Sequence, residues 1–341
     1  MRYKYGICGP FDFDEKGTGG QSVKTREFFF ALREAVGAEQ IQILESTDYK
    51  KNPFAFLINY VRMLHHCDHT IIFPAQNGIK LLAPVSVWFK GKGKTHYSVI
   101  GGWLPQLIRE KPSLKRYLKS FDSILVETNV MKNDLESQGL NNVKRLLNFK
   151  RVTPVSDDKI KNHDPVRLCY FSRITKEKGI EDAIYAVRVI NDQGFHCTFD
   201  IYGPVIPEYE GIFSELQESF PNEIRYCGKI APEKSIETLK NYDIQLFPTL
   251  YPTEGIPGSI VDSYFAAVPV VAAKWNSFSD VVKEGVTGIG YEQGNVEDFC
   301  EKLKWMITHP TQVAVMKRNC LQEAKEYVPE KVIQTFIKLI S

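Results

Sequence analysis

No CxxC pair occurs in this chain. Its seven cysteines (Cys8, Cys67, Cys169, Cys197, Cys227, Cys300 and Cys320) are scattered and odd in number. That usage argues against a disulfide framework or a zinc site and suits a reducing, cytosolic setting. Long apolar runs are missing too. The longest, residues 54–61 and 256–273, are too short or too interrupted by polar residues to cross a bilayer core. The opening MRYKYGICGP reads as a strand and lacks the regions of a secretory signal. Low-complexity tracts and repeats of solenoid period are absent as well. What remains is an ordinary globular composition over 341 residues, enough for two domains with separate cores.

The net charge of +2 hides an asymmetry. Residues 1–150 carry 22 Lys and Arg against 14 Asp and Glu, a net +8, while the remainder carries 21 against 27, a net −6. Ordinary surface variation produces such differences. A basic first half facing a phosphate-bearing substrate or an anionic lipid surface produces them too.

Short apolar strand candidates alternate with helical patterns from end to end. The first series of strands is expected at 3–8, 41–44, 70–73, 97–100, 123–127 and 143–147, and the second at 166–171, 198–202, 224–227, 244–247 and 268–272. Helices are expected between them, including 21–36, 103–120 (interrupted near Pro112), 257–267 and one long helix at 311–339. The polar stretch 148–165, with two prolines and no period, reads as a linker. The fold class is therefore α/β, with two doubly wound, Rossmann-like domains facing across a cleft where a ligand would bind. The expected divisions are 1–150, a linker at 151–165, 166–325, and a C-terminal helix at 326–341 packing back towards the first domain.

The most informative segment is PTEGIPGSIVDSYFAAVP, residues 252–269. Glu254 and Asp262 stand eight residues apart, which on a helix places them on roughly one side. Between them Gly255-Ile256-Pro257-Gly258-Ser259 resembles a helix entry, with open amides and the positive end of the dipole. Such a place suits an anionic ligand rich in hydroxyls. After the first strand of the second series comes Ser172-Arg173-Ile174-Thr175-Lys176-Glu177-Lys178-Gly179, whose Arg173 and Lys178 could neutralise a diphosphate. A solvated charged loop is the bland reading of that turn. DIYG at 200–203 and YCGKI at 226–230 each end a strand in a glycine.

Near the N-terminus, Gly17-Thr18-Gly19-Gly20-Gln21 leads into a helix, without the GxGxxG spacing of a dinucleotide site. Glu45 is a weak match for the acid such a site needs. Asp12-Phe13-Asp14 matches a DxD metal pattern and is taken as chance.

In order and spacing, SRITKEKG, DIYG, YCGKI, NYDIQLFPT, PTEGIPGSIVD, AAVPVVA and EGVTGIGY resemble the donor-binding domain of retaining GT-B glycosyltransferases of family 4, over about residues 166–310. The first half resembles them more loosely, through GTGGQS and VETNVMKNDL. The wording GGWLP and EGIPGSIVD is similar to bacterial enzymes that build capsule, exopolysaccharide or O-antigen.

The resemblance implies that Glu254 faces the donor sugar and that Asp262, one methylene shorter than the family's glutamate, holds the ribose. It implies that Arg173 and Lys178 bind the diphosphate, that Gly258, Ser259 and Ile260 offer amides, and that the backbone of Ile230 meets the base. Gly19 and Gly20 would lie in the loop closing on the donor. Ala267 replaces a usual glycine. By the same resemblance, two cations and a helix end hold the leaving diphosphate, so no metal and no other cofactor is expected. The leaving phosphate would take the acceptor proton on the same face, and Glu254 would orient the sugar without acting as nucleophile.

Gln76, Asn77, His96 and Trp103 are the acceptor-side candidates, with a buried structural histidine as the plain alternative for His96. The amphipathic stretch 103–119, with Lys90, Lys92 and Lys94 before it, is either a core face with a solvated basic side or a docking face for an anionic membrane. The expected partners are a nucleotide sugar, UDP-linked in the family's pattern, and a saccharide or lipid-linked oligosaccharide acceptor, with no nucleic acid. The expected setting is cytoplasmic, with a peripheral position on the inner face of the plasma membrane left open. Two other classes remain: a non-catalytic partner subunit that binds without turnover, and a nicotinamide dehydrogenase, disfavoured by the imperfect glycine loop.

Overall fold

The computed structural model describes residues 2–13, 20–157 and 160–341. The chain divides between Arg151 and Val152 into two compact units, and residues 328–341 belong to the first.

The first unit begins with β1 (Tyr3–Gly9), α1 (Gly20–Val36), β2 (Ile41–Glu45), α2 (Pro53–His66) and β3 (Cys67–Ile72). It continues with α3 (Gln76–Trp88), β4 (Lys94–Ser98), α4 (Leu104–Glu110), α5 (Pro112–Leu118), β5 (Ser123–Val126), α6 (Asn129–Ser137) and β6 (Val143–Arg145). Its six strands are parallel in the order β2-β1-β3-β4-β5-β6. The local chemistry explains the boundaries. Asn52 caps α2 by accepting from the Ala55 amide at 3.0 Å, with Pro53 in the first turn. The expected helix 103–120 is two helices, because Pro112 has no N–H to continue the first and starts the second.

The second unit holds β7 (Val166–Phe171), α7 (Ile180–Asp192), β8 (Cys197–Tyr202), α8 (Glu210–Glu218), β9 (Ile224–Gly228) and α9 (Ser235–Leu239). Then come β10 (Ile244–Phe247), α10 (Gly258–Phe265), β11 (Val270–Ala273), α11 (Phe278–Val281), β12 (Gly288–Tyr291), α12 (Val296–Thr308) and α13 (Pro310–Ala324). These strands are also parallel, ordered β12-β11-β10-β7-β8-β9. The sequence signals missed β12. Two of its four residues are glycine, which weakens any strand pattern, yet a Cβ on Gly288 would lie 2.3 Å from the Val270 carbonyl oxygen, so the neighbouring strand leaves room for nothing larger.

The final helix, α14 (Pro329–Ile340), is separate from α13, where one continuous helix was expected. The residue before a proline is pushed out of the helical region, and Val328 is extended ahead of Pro329. α14 buries Val332, Ile333, Phe336 and Ile340 in the first unit, with Phe336 edge-on to Phe28 at 4.9 Å. Each such side chain contributes roughly 1.5–3 kcal/mol. Lys94 donates to the Ile340 and Ser341 carbonyls and Lys144 to that of Leu339, placing cations at the negative end of the helix. The polar stretch after Val152 is tied to the second unit. The Val155 amide meets the Phe265 carbonyl at 2.9 Å, and His163 and buried Lys317 both bond Asp243. Among the described residues, no helix is long and apolar enough to cross a membrane.

Candidate functional site

In a doubly wound sheet the crevice opens beyond the strand carboxyl ends where the strand order reverses. In the second unit that point lies between β7 and β10, adjacent strands whose connections lead to opposite sides of the sheet. The two segments singled out in the sequence leave from these two strands. The turn after β7 carries Arg173 and Lys178, and the loop after β10 carries Glu254.

Several contacts lock the two loops together. The Leu250 amide donates to the Glu177 carbonyl at 2.8 Å. The buried Tyr170 hydroxyl, in β7, donates to the Arg173 and Lys178 carbonyls at 3.0 and 3.4 Å. Gly179 has φ 69°, and a Cβ there would lie 1.8 Å from the Pro248 carbonyl oxygen, so this turn admits only glycine. The Lys178 ammonium is in direct contact with Glu254 Oε1, both side chains being largely buried at 11% and 16% exposure. Thr249 Oγ1 donates to the same oxygen at 3.1 Å. The ammonium also lies over the rings of Tyr251 and Phe247, 5.1 and 5.8 Å from their centroids. Gln293 pins the loop from outside, its amide donating to the Thr249 carbonyl at 2.9 Å. Arg173 is exposed and, among the described residues, joins no ion pair.

Thr249, Tyr251, Gln293 and Phe247 were missed by sequence reasoning. Their roles depend on loop geometry, and a lone Thr or Gln after a strand carries no signal of its own.

The two acids do not share a helix face. Residues 254–257 are non-helical and α10 starts at Gly258, so Glu254 sits on a loop and Asp262 on the helix, where it is 4% exposed. The eight-residue spacing thus spans a turn, and helical periodicity does not apply to it. Of the three amides expected at the entry to α10, that of Ile260 is engaged by the Pro257 carbonyl at 3.1 Å, because the first turn closes in the tighter three-residue manner. Gly258 and Ser259 are the first two residues of the helix, whose amides have no acceptor within it.

The far end of α10 explains Ala267. It has φ 60°, its amide meets the Tyr264 carbonyl at 3.1 Å, and the Val268 amide meets that of Ser263 at 2.8 Å. This is a Schellman ending with alanine at the left-handed position that glycine fills most easily. Ile230 lies half-buried in the loop following β9.

In the first unit the corresponding reversal lies between β1 and β3. Gly19, like Asp14 of the DxD match, falls outside the described residues. Gly20 is the first residue of α1. Glu45 has its own structural work. It accepts the Phe11 amide at 2.8 Å and the Thr47 amide at 2.9 Å, fastening the loop after β1. Gln76 and Asn77 are exposed at the start of α3, and Trp103 precedes α4 with its indole N–H on the Ile100 carbonyl at 2.7 Å.

His96 is elsewhere. It occupies the middle of β4, buried, with one ring nitrogen 2.8 Å from Ser123 Oγ and the other 3.1 Å from His69 Nδ1. Burial, and secondarily the neighbouring His69, pushes its pKa down to about 3. Both nitrogens being used within the sheet, His96 is a structural histidine and not part of the strand-end group.

Two further side chains, which the sequence did not single out, lie at the strand ends of this unit. Lys24, on α1, is in ionic contact with Glu127 after β5 and reaches the Val99 carbonyl at 3.5 Å, while the Gln21 amide donates to the Phe73 carbonyl at 2.6 Å. The apolar side of 103–119 is core: Leu104, Leu107, Ile108, Leu114 and Leu118 are all buried, and Arg109 is paired with Asp134. The exposed apolar residues of this region are Trp88 and Phe89, at 68% and 50%, directly before Lys90 and Lys92.

Comparison with known proteins places these features. Residues 154–326 match the model for "Glycosyl transferases group 1". An amylovoran biosynthesis glycosyltransferase, AmsK, of Erwinia amylovora is 26% identical over 144 residues, covering 40% of this chain and 34% of that protein. CapM, a capsular polysaccharide biosynthesis glycosyltransferase of Staphylococcus aureus, is 27% identical over 142 residues, 40% of this chain and 36% of that protein. The similarity thus spans about a third of the length of these curated relatives. Among solved structures, HepE of Anabaena with UDP and glucose superposes with a TM-score of 0.76 at 16% identity, covering 99% of both chains. A sucrose-phosphate synthase of Thermosynechococcus elongatus gives 0.78 at 13%, covering 99% of this chain and 98% of that one. At such identities the likeness concerns the fold, the two Rossmann-like units of the GT-B architecture. With half its length matched by the family model, and with a charged site at the reversal point of the matched unit, this chain belongs to the group 1 glycosyltransferases.

Proposed function

We propose that the chain is a retaining hexosyltransferase that moves a sugar from a nucleotide-diphosphate donor, a UDP-sugar, to a saccharide acceptor in the building of bacterial surface polysaccharide. The observation that carries the reading is the convergence of Arg173, Lys178 and Glu254 on the carboxyl edge of β7 and β10. As the sugar–phosphate bond breaks, charge develops on the diphosphate. Arg173, Lys178 and the amide end of α10 stabilise it from fixed positions, without a metal ion. Glu254 orients the sugar, and the departing phosphate accepts the acceptor's proton on the face it leaves, so the anomeric configuration is retained. Asp262 and the backbone at Ile230 serve the nucleoside. Amylovoran and capsular polysaccharide in the relatives' names, and UDP in the HepE structure, support the substrate class.

The acceptor is lipid-linked in this reading, taken up by Gln76, Asn77 and Trp103 together with Gln21. The protein sits peripherally on the cytoplasmic face of the membrane, through Trp88, Phe89 and the lysines beside them. Exposed aromatic tips beside cations suit an anionic interface.

A panel of sugar nucleotides tests the donor assignment, because a ligand that binds the folded state raises the melting temperature by mass action. If none raises it, the reading falls. Donor hydrolysis without acceptor, repeated with EDTA, tests turnover and metal independence, and NMR of the transferred anomer tests retention. Binding without any turnover favours the non-catalytic partner subunit instead.

A further inference from the structure

The Lys178–Glu254 contact joins two groups to which the proposed reaction assigns different partners. Lys178 is to meet the diphosphate and Glu254 the sugar, yet here each holds the other. Glu254 Oε1 takes both the Lys178 ammonium and the Thr249 hydroxyl, so the carboxylate keeps a hydrogen bond if the lysine leaves. The ammonium rests over Tyr251 and Phe247, on a flexible four-carbon stem that lets it swing without moving the backbone. The backbone is fixed by the Tyr170 hydroxyl and by the Pro248 carbonyl packed on Gly179. Exposed Arg173, in no ion pair among the described residues, is available to an incoming anion first.

Resting on the donor-site reading above, we propose that Lys178–Glu254 is an exchange pair: the donor diphosphate takes Lys178 from Glu254, the freed Glu254 takes the sugar hydroxyls, and after transfer the competition of Glu254 for Lys178 weakens the hold on the nucleoside diphosphate. The charge arithmetic supports the exchange. A diphosphate offers a lysine more negative charge than one carboxylate does, so it wins the cation. The competition still reduces apparent affinity by the fraction of sites in which Lys178 is free. An intact donor recovers that cost through Glu254 and its sugar. A product diphosphate has no sugar and recovers nothing, so the pair weakens product more than substrate. In many enzymes product release, not chemistry, limits turnover, which gives the device a use.

The test is calorimetric titration of the full chain with UDP, GDP, ADP and uridine. Glu254→Gln is expected to bind its nucleoside diphosphate about threefold to tenfold tighter than the unaltered protein, with uridine affinity unchanged. The tightening is expected to vanish when Glu254→Gln is placed on Lys178→Met, because no cation then remains to be released. Glu254→Asp keeps the charge but withdraws the carboxylate by one methylene, and it is expected to tighten diphosphate binding as well. It serves equally if the Gln variant does not fold. Unchanged or weaker diphosphate binding in a folded Glu254 variant overturns the exchange pair alone. So does a tightening that persists without Lys178, which reports simple repulsion between Glu254 and the diphosphate. If no diphosphate binds the unaltered protein, the donor-site reading and the exchange pair fall together.

Discussion

Each unit carries a largely buried lysine–glutamate pair at the carboxyl edge of its sheet, and the two pairs are built differently. Lys24 rises from α1 to Glu127 and the Val99 carbonyl, so its ammonium ties together the ends of β4 and β5. Lys178 lies in a tight turn, and around its ammonium are two aromatic faces and a carboxylate shared with Thr249. The first environment pairs a buried carboxylate with a fixed backbone carbonyl. The second is made of side chains that can re-pair. Equal burial of the lysines, 11% in both, therefore does not imply equal roles. On the proposed exchange, the Lys24 pair belongs to the framework of its sheet edge and the Lys178 pair to ligand binding.

Stability measurements separate the two most sharply. Removing one partner of a buried pair leaves the other charge short of compensation, at a cost of about 3–5 kcal/mol. Lys24→Met is expected to lower unfolding stability at the lower end of that range, about 3 kcal/mol in urea titration. Lys178→Met is expected to cost less, about 1 kcal/mol, because Glu254 keeps its Thr249 hydrogen bond and is 16% exposed against 4% for Glu127. Comparable losses would erase the distinction.

Turnover shows the reverse. Glu254→Gln is expected to lower kcat about a hundredfold, the scale of losing one preorganised contact to the transition state, while melting within a few degrees of the parent. Near-normal turnover would remove Glu254 from the chemistry.

A third measurement uses pH to mark the first unit. His96 is held neutral down to about pH 3, whereas an unfolded histidine titrates near 6.5. Between those values the unfolded chain binds a proton that the folded one refuses, so stability falls with pH by about 1.4 kcal/mol per unit. From pH 7.5 to 5 the expected loss is about 2 kcal/mol, and His96→Asn is expected to flatten it. A loss that survives the substitution assigns the effect to other groups.

The smallest effect belongs to the second unit. Ala267→Gly is expected to raise stability by about 0.5–1 kcal/mol. The left-handed backbone costs alanine roughly 1–2 kcal/mol, and part of that gain is returned by glycine's greater freedom in the unfolded chain.

The second unit was the more legible one, for a reason visible in its residues. Arg173, Lys178 and Glu254 each follow a strand end within seven residues, and Asp262 lies in the first turns of the helix that comes next, so local spacing indicates position. Lys24 and Glu127 are 103 residues apart and meet only because the first turns of α1 come to rest beside the ends of β4 and β5. His96 looked like a strand-end residue because the strand was expected at 97–100, whereas β4 runs from Lys94 to Ser98. Parallel register places it beside Ser123 with its ring against His69, inside the sheet. Trp88 and Phe89 could not be told from core aromatics until the end of α3 was seen to lie open to solvent.

The alternation of strands and helices, the two-unit α/β class and the donor-type order of motifs were therefore contained in the sequence, since each depends on periodicity or on contacts within a short turn. Two things were decided by tertiary structure: that Lys178 is already held by Glu254, and that Lys24 and Glu127 meet at all. Each depends on where separate segments come to rest, and no local pattern encodes a side chain's partner across the sheet.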